Sequence, residues 1–363
     1  MTILRRQLWL AGLVVGLSVP SAAVAGTLTS PTGDVSADLV TAIQIAPGTT
    51  AGGAPTVHFT ARNVSSQPVE VLAWDLPVQR QAADILAVTR DGARVTYRGR
   101  LVKRAPATDA DYLRLAPGGS YTAPVDLAAD YDLSRPGDYT VRLASTHVRV
   151  RPGRTGATTV EVQSGEGVLH TATGIQSSAE PAHRGRTSAA SERDAPDDRG
   201  TNTGCSQSQE SQLEQALAGA AQYTSNAISW LSDHSSGGDD YETWFGEFDS
   251  DRFDHVSTAF SRIESELSGE EVTFDCTCDE DAYAYVYPDE PYNIHICQVF
   301  WRAPDDGYDS TAGTLIHESS HFTVNGGSDD HVYGIDEGQE LAETDPEEAV
   351  TNADNIEHFA EGL

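Results

Sequence analysis

Lysine is almost absent from this chain: Lys103 is the only one in 363 residues. The sole methionine is Met1, and the four cysteines all fall late, at 205, 276, 278 and 297. Basic groups are few, 23 Lys and Arg against 55 Asp and Glu, giving a formal net charge of −32. A chain so acidic repels a phosphate backbone, which excludes nucleic acid as a partner. Beyond the first 25 residues no apolar run is long enough to cross a bilayer. No second pair of closely spaced cysteines accompanies Cys276-Thr277-Cys278, so a zinc knuckle is excluded. An even cysteine count in an exported chain implies two disulfides. Cys276 and Cys278 are too close in sequence to bond each other readily, which leaves Cys205 and Cys297 as their partners in either assignment.

What is present divides the chain. Arg5 and Arg6, an apolar run from Leu8 to Val19 and the small residues Ala23-Val24-Ala25 form a secretory signal over residues 1–25. Export places the protein outside the cell, with no membrane attachment after signal removal. From 26 to 165 the pattern is all β. Segments such as Val57–Ala61, Val69–Trp74, Arg94–Tyr97 and Tyr139–Leu143 alternate, with turn signals at Asn63–Gln67, Asp91-Gly92, Pro117–Gly119 and Pro136–Asp138. Short strands at this spacing predict an antiparallel β-sandwich. It carries no catalytic constellation, so it reads as a propeptide or binding module. Residues 166–200 are rich in Ser, Ala, Gly, Arg and Asp, as a flexible linker is, with a maturation site near Arg199-Gly200-Thr201.

Residues 201–363 hold 36 Asp and Glu against three Arg and no Lys, a net of −33. Helical periodicity marks Ser208–His234 and Asp251–Leu267, a hairpin is expected over Ala282–Tyr287 and Ile294–Cys297, and a last helix opens at Pro346 and runs to about Ala360. The fold class expected is α+β: a mostly helical domain with a small sheet behind an all-β domain.

The chemistry centres on His317-Glu318-Ser319-Ser320-His321. Histidines four apart on a helix share one face and reach one metal ion, and the Glu beside the first lies over the same ion as a general base. Ser310 caps the helix start. A catalytic zinc needs a third protein ligand. The extended HExxHxxGxxH pattern fails, since 324 is Val and 327 is Gly, and with Met1 alone there is no Met-turn. Two alternatives remain: Glu340 or Glu343 on a following helix, as in thermolysin-like enzymes, or Asp330 after the glycines of Asn325-Gly326-Gly327-Ser328.

The segment His317–Gly334 resembles the deuterolysin-type secreted metalloendopeptidases, the aspzincins, and within them the peptidyl-Lys branch. The resemblance covers essentially all of 201–363, through Gly204-Cys205-Ser206, Trp244-Phe245-Gly246, Phe274–Cys278, Ala284–Pro288, Phe300-Trp301 and Asn352–Asn355; Ser328 departs from a frequent Thr. It implies one Zn²⁺ on His317, His321 and Asp330, with Glu318 as general base and disulfides Cys205–Cys276 and Cys278–Cys297. Tyr333, three residues past the Asp, is placed to donate to an oxyanion. His331 and His295 read as structural or surface groups.

Asp354 and Glu357, at i and i+3 on the last helix, share a face, and the resemblance makes them the acceptors of a substrate lysine on the carboxyl side of the cut bond. A Lys-directed protease whose own catalytic half lacks Lys is protected from itself. The expectation is thus a secreted zinc endopeptidase made as a preproenzyme, cutting protein or peptide substrates at Xaa–Lys, a monomer whose other partner is its own propeptide. A competing reading is a non-catalytic secreted binding protein with a structural zinc, although Glu318 has no purpose there.

Overall fold

The computed structural model describes residues 39–46, 56–77, 83–145, 147–152, 158–175, 202–269 and 272–363. The expected signal, most of the expected linker and its maturation site lie outside these residues.

The first half contains strands β1 (Leu39–Ala46), β2 (Thr56–Asn63), β3 (Val69–Leu72), β4 (Leu86–Arg90), β5 (Ala93–Arg94), β6 (Leu101–Arg104), β7 (Tyr112–Leu115) and β8 (Ser120–Val125). The one-turn helix α1 (Leu127–Asp130) leads to β9 (Gly137–Leu143), β10 (His147–Pro152), β11 (Thr158–Glu161), β12 (Gln163–Ser164) and β13 (Gly167–Thr171). Three four-stranded sheets result, ordered β12-β1-β2-β8, β11-β10-β3-β7 and β13-β9-β4-β5. Alternation drives their burial: β9 turns Tyr139, Val141 and Leu143 inward and Asp138 and Arg142 outward. These residues join Leu39, Phe59, Val71, Val88 and Leu169 in one apolar core. Asn63 closes the expected turn, its side-chain amide donating to the Gln67 and Leu115 carbonyls while its oxygen accepts from Ser65 N–H.

Two details differ from the sequence reading. The expected strand over 94–97 is reduced to β5, with Tyr97 forming only an isolated bridge to Tyr131. β13 pairs with β9, so the all-β part runs past the boundary expected at 165.

The second half follows the expected helices closely. Helix α2 (Gln207–Asp233) starts at a reciprocal cap between Ser206 and Gln209, then come α3 (Asp239–Phe245), which periodicity did not reveal, and α4 (Ser250–Gly269). Strands β14 (Thr273–Asp275), β15 (Ala282–Val286) and β16 (Asn293–Ile296) precede α5 (Thr311–His321), α6 (Ile335–Thr344), α7 (Pro346–Ala349) and α8 (Ala353–Glu361). The single last helix expected from Pro346 is therefore two. Its break has a cause: Asn352 accepts from the His331 and Val332 N–H groups, and Ala353 N–H donates to Asp329 O, which pulls residues 351–353 out of helical geometry.

Leu213, Phe260, Ile316 and Phe359 belong to a second core, and every residue of α5 is buried within it. A helix enclosed on all sides is held by its neighbours rather than by an amphipathic stripe. The small sheet is ordered β14-β16-β15-β6. Its outer strand, β6, comes from the first half of the chain and pairs antiparallel with β15. The fold is α+β, and no helix among the described residues is long and apolar enough to cross a membrane.

Disulfides Cys205–Cys276 and Cys278–Cys297 close separations of 71 and 19 residues. Loop-closure entropy makes the longer one the stronger constraint, about 4 kcal/mol against about 3. In denaturant titrations of a Glu318→Gln background, Cys205→Ser/Cys276→Ser should lower stability more than Cys278→Ser/Cys297→Ser. The reverse order would contradict the loop-entropy account.

Candidate active site

Helix α5 is fixed at both ends before it presents any chemistry. At its start Ser310 Oγ accepts from Gly313 N–H at 2.8 Å. Glu361, at the end of α8, accepts from Ser310 N–H (3.0 Å), Ser310 O–H (2.6 Å) and Asp309 N–H (3.1 Å). Burial, with Glu357 adding to it, pushes the Glu361 carboxyl up to about 9. Gly313 makes this approach possible: a Cβ there would lie 1.9 Å from Glu361 Oε1 and 2.8 Å from Glu357 Oε1. At the far end, Glu266 of α4 accepts from Ser319 O–H at 3.0 Å and from the Asn325 amide, holding the last turn of α5 and the loop after it.

His317 and His321 lie one turn apart, with ring centres 4.8 Å from each other. The chain leaves α5 and turns back through Gly327 at φ +68°, a conformation that glycine adopts without penalty. Ser328 N–H bonds Ser320 O, and Ser328 O accepts from His321 Nδ1 at 3.0 Å. That return brings Asp330 Oδ1 to 3.1 Å from His317 Nε2 and 3.4 Å from His321 Nε2. The Asn352 bonds to the backbone of 331 and 332 keep the loop there, and Asn355 anchors Asn352 in turn at 2.7 Å.

Both Nε2 atoms, both Asp330 oxygens and both Glu318 oxygens are buried without a hydrogen-bond partner. Orphans of this kind are costly unless something else completes them. Two imidazole nitrogens and one carboxylate within 4.8 Å of one another are a donor set suited to zinc. Burial alone would raise the Asp330 carboxyl, but the facing His321 and His317 outweigh it and hold it well below the usual carboxylate range. Glu318 goes the other way. Burial lifts it to about 7 against the pull of His317 and His321, which leaves it suited to taking up a proton near neutral pH.

A cage of acid groups adjoins these residues. Asp354 Oδ1 and Glu357 Oε2 face His317 Nδ1 at 2.9 and 3.1 Å, which fixes the ring and directs its Nε2 toward Asp330. The same two oxygens receive the ammonium of Lys103, at 3.4 and 2.6 Å, and Asp309 Oδ1 receives it at 3.0 Å. The Tyr283 ring lies 5.1 Å from Nζ. Burial opposes the Lys103 charge, yet Asp354, Glu357 and Asp309 outweigh it and raise the amine well above its ordinary range.

Tyr333 donates its O–H to the Val102 carbonyl at 2.8 Å, and Trp74 packs edge-on against its ring at 6.2 Å. Glu340 and Glu343, the other candidates for a third ligand, are exposed on α6 and belong to none of the clusters able to hold an ion among the described residues. His331 bonds Thr351, and His295 is buried, stacked on Tyr285 and paired with Asp275; neither enters such a cluster. Sequence reasoning missed Asp309, Glu361 and Glu266. Their partners lie about fifty residues away or more, and no local spacing announces them.

A family model described as lysine-specific metallo-endopeptidase matches residues 230–361. An extracellular protease of Aeromonas hydrophila is 37% identical over 306 residues, covering 84% of this chain and 87% of that protein. A peptidyl-Lys metalloendopeptidase of Pleurotus ostreatus is 48% identical over 162 residues, 44% of this chain and 96% of the fungal protein. The solved zinc peptidase from Grifola frondosa is 42% identical, with a TM-score of 0.42, over 44% of this chain and 97% of its own. Fold, site and relatives define a zinc metalloendopeptidase, which removes the reading as a non-catalytic binding protein. The chain belongs to the aspzincin family.

Gly313→Ala tests the closure of α5. The added methyl should displace Glu361 and cost about 1–3 kcal/mol, read as a lowered melting temperature. Gly269→Ala, with nothing within 4 Å of its added Cβ, is the control and should change little.

Proposed function

We propose that the protein is a secreted endopeptidase that cuts on the amino side of lysine and uses one zinc ion held by His317, His321 and Asp330. The observation that carries the lysine preference is the Lys103 ammonium itself, enclosed by three carboxylates directly behind a metal-binding histidine. A compact ammonium fits such a cage better than a wide guanidinium fork. The acidity of residues 201–363 adds attraction for basic peptides at longer range.

Zinc, when bound, acidifies a water molecule and polarises the scissile carbonyl. Glu318 accepts the water proton and delivers it to the leaving amine. Tyr333 O–H donates to the carbonyl oxygen as negative charge develops on it, the position its bond to Val102 O already supports. Asp354 and Glu357 serve twice, orienting His317 and binding the substrate lysine, and Asp309 completes the pocket from the α5 side.

The same reading makes residues 1–25 a signal peptide, 26–165 together with strand β13 a sandwich-type propeptide, the stretch from there to 200 a linker cut near Arg199-Gly200-Thr201, and 201–363 the catalytic domain. The first-half sheets around one core, and a match to an extracellular protease that spans both halves, support this order.

Three variants test the roles. Glu318→Gln should retain zinc by elemental analysis and lose nearly all turnover. Asp330→Ala should lose zinc while Glu340→Ala and Glu343→Ala keep it; loss with either Glu would return the third ligand to α6. Asp309→Asn touches the ammonium but not His317. It should keep zinc and activity on neutral peptides while lowering kcat/KM at Lys by about tenfold, the order of one partly exposed charge pair. An unchanged bond preference in a peptide library would remove Asp309 from the pocket.

A further inference from the structure

Lys103 is more than a marker for the pocket. The strand that carries it, β6, lies along β15 in antiparallel register, with Val102 opposite Tyr285 and Lys103 opposite Ala284. Val102 is buried beside Tyr285 and Cys297, next to the Cys278–Cys297 disulfide. Its carbonyl is the one that accepts from Tyr333 O–H, while the next side chain fills the carboxylate cage. The peptide bond between them is thus gripped on both sides by groups assigned above to the scissile bond. Flanking contacts secure it: Arg100 pairs with Glu280 at 2.7 Å and stands over Tyr285, and Arg104 stands over Trp74.

We propose that Val102–Lys103 is a bond this enzyme cleaves in itself, within one chain, and that the two pieces stay together after the cut. The proposal rests on the lysine-directed reading above. Water adds across the amide: its oxygen goes to the Val102 carbonyl carbon, the C–N bond breaks, and Lys103 becomes a new amino terminus with a proton relayed by Glu318. The pieces stay together because the cut removes no buried group. Leu101 remains in the first-half core, Val102 beside the disulfide, and the Lys103 side chain in its cage. The strand that offers the bond also fills the cleft, so cutting it does not by itself open the site. Lys103 is also the only lysine the enzyme could find in its own chain.

The test uses the full chain purified in chelator and then given zinc, sampled over time at two concentrations tenfold apart. A peptide with one internal lysine is incubated in parallel. The expected result is a pair of fragments, one ending at Val102 and one beginning at Lys103, by mass spectrometry under denaturing conditions. The rate constant should be the same at both concentrations, the fragments should co-elute in native gel filtration, and Glu318→Gln should stay whole. Lys103→Arg should slow the cut at this bond at least tenfold. If the peptide is cut before its lysine while Val102–Lys103 stays intact, the self-cleavage is refuted and the function stands. If the full chain cuts neither, the peptide is given to a sample trimmed by trypsin near Arg199: cleavage there refutes the self-cleavage alone, and an intact peptide means the endopeptidase reading has failed and takes this inference with it. A rate that scales with concentration overturns cleavage within one chain, and separate elution of the fragments overturns their retention.

Discussion

The arrangement of Asp354 and Glu357 around His317 is the constraint on which the rest depends. Two carboxylates on one face of α8 press against a single imidazole nitrogen and leave the other nitrogen free to face Asp330. Buried acids at this spacing repel each other and lose their hydration, so they need positive charge nearby. His317 offers them its Nδ1 as a hydrogen-bond partner, and the Lys103 ammonium supplies the positive charge. Holding the Lys103 ammonium and orienting the His317 ring are therefore one electrostatic problem, solved by the same oxygens.

That coupling explains why α5 is so tightly enclosed. A helix with two histidines and a glutamate at 0% exposure cannot rest on a solvated face. α2, α4, α8 and β15 surround it, and acid groups from two of them close its ends, Glu361 from α8 and Glu266 from α4. The asparagines do comparable work for the loop. Asn352 and Asn355 convert a break between α7 and α8 into a clamp on the segment that carries Asp330.

The insertion of β6 into the small sheet gives the first half of the chain a direct hold on this machinery. Basic side chains at 98, 100, 103 and 104 meet acid groups or aromatic rings there, complementing the charge of the second half. Val102 and Trp74 add apolar contact beside Tyr285 and against Tyr333.

The sequence alone determined whatever depends on local geometry. Histidines four apart share a helical face in any protein, so the pair at 317 and 321, with Glu318 between them, was legible at once. The spacing of Asp354 and Glu357 was legible for the same reason, and alternation or helical period located most strands and the long helices. Spacing left the third ligand open between Asp330 and two glutamates, because a turn through glycines can lead in several directions; the exposed position of α6 and the return of the loop decided where each group lies. Only the tertiary structure revealed Asp309 and Glu361 against distant partners, the split of the last helix, and a four-residue strand that leaves its own neighbours to pair with β15. Contacts of that kind join residues up to 254 positions apart. They are set by how the cores pack and where buried charge finds its complement, which no local period encodes.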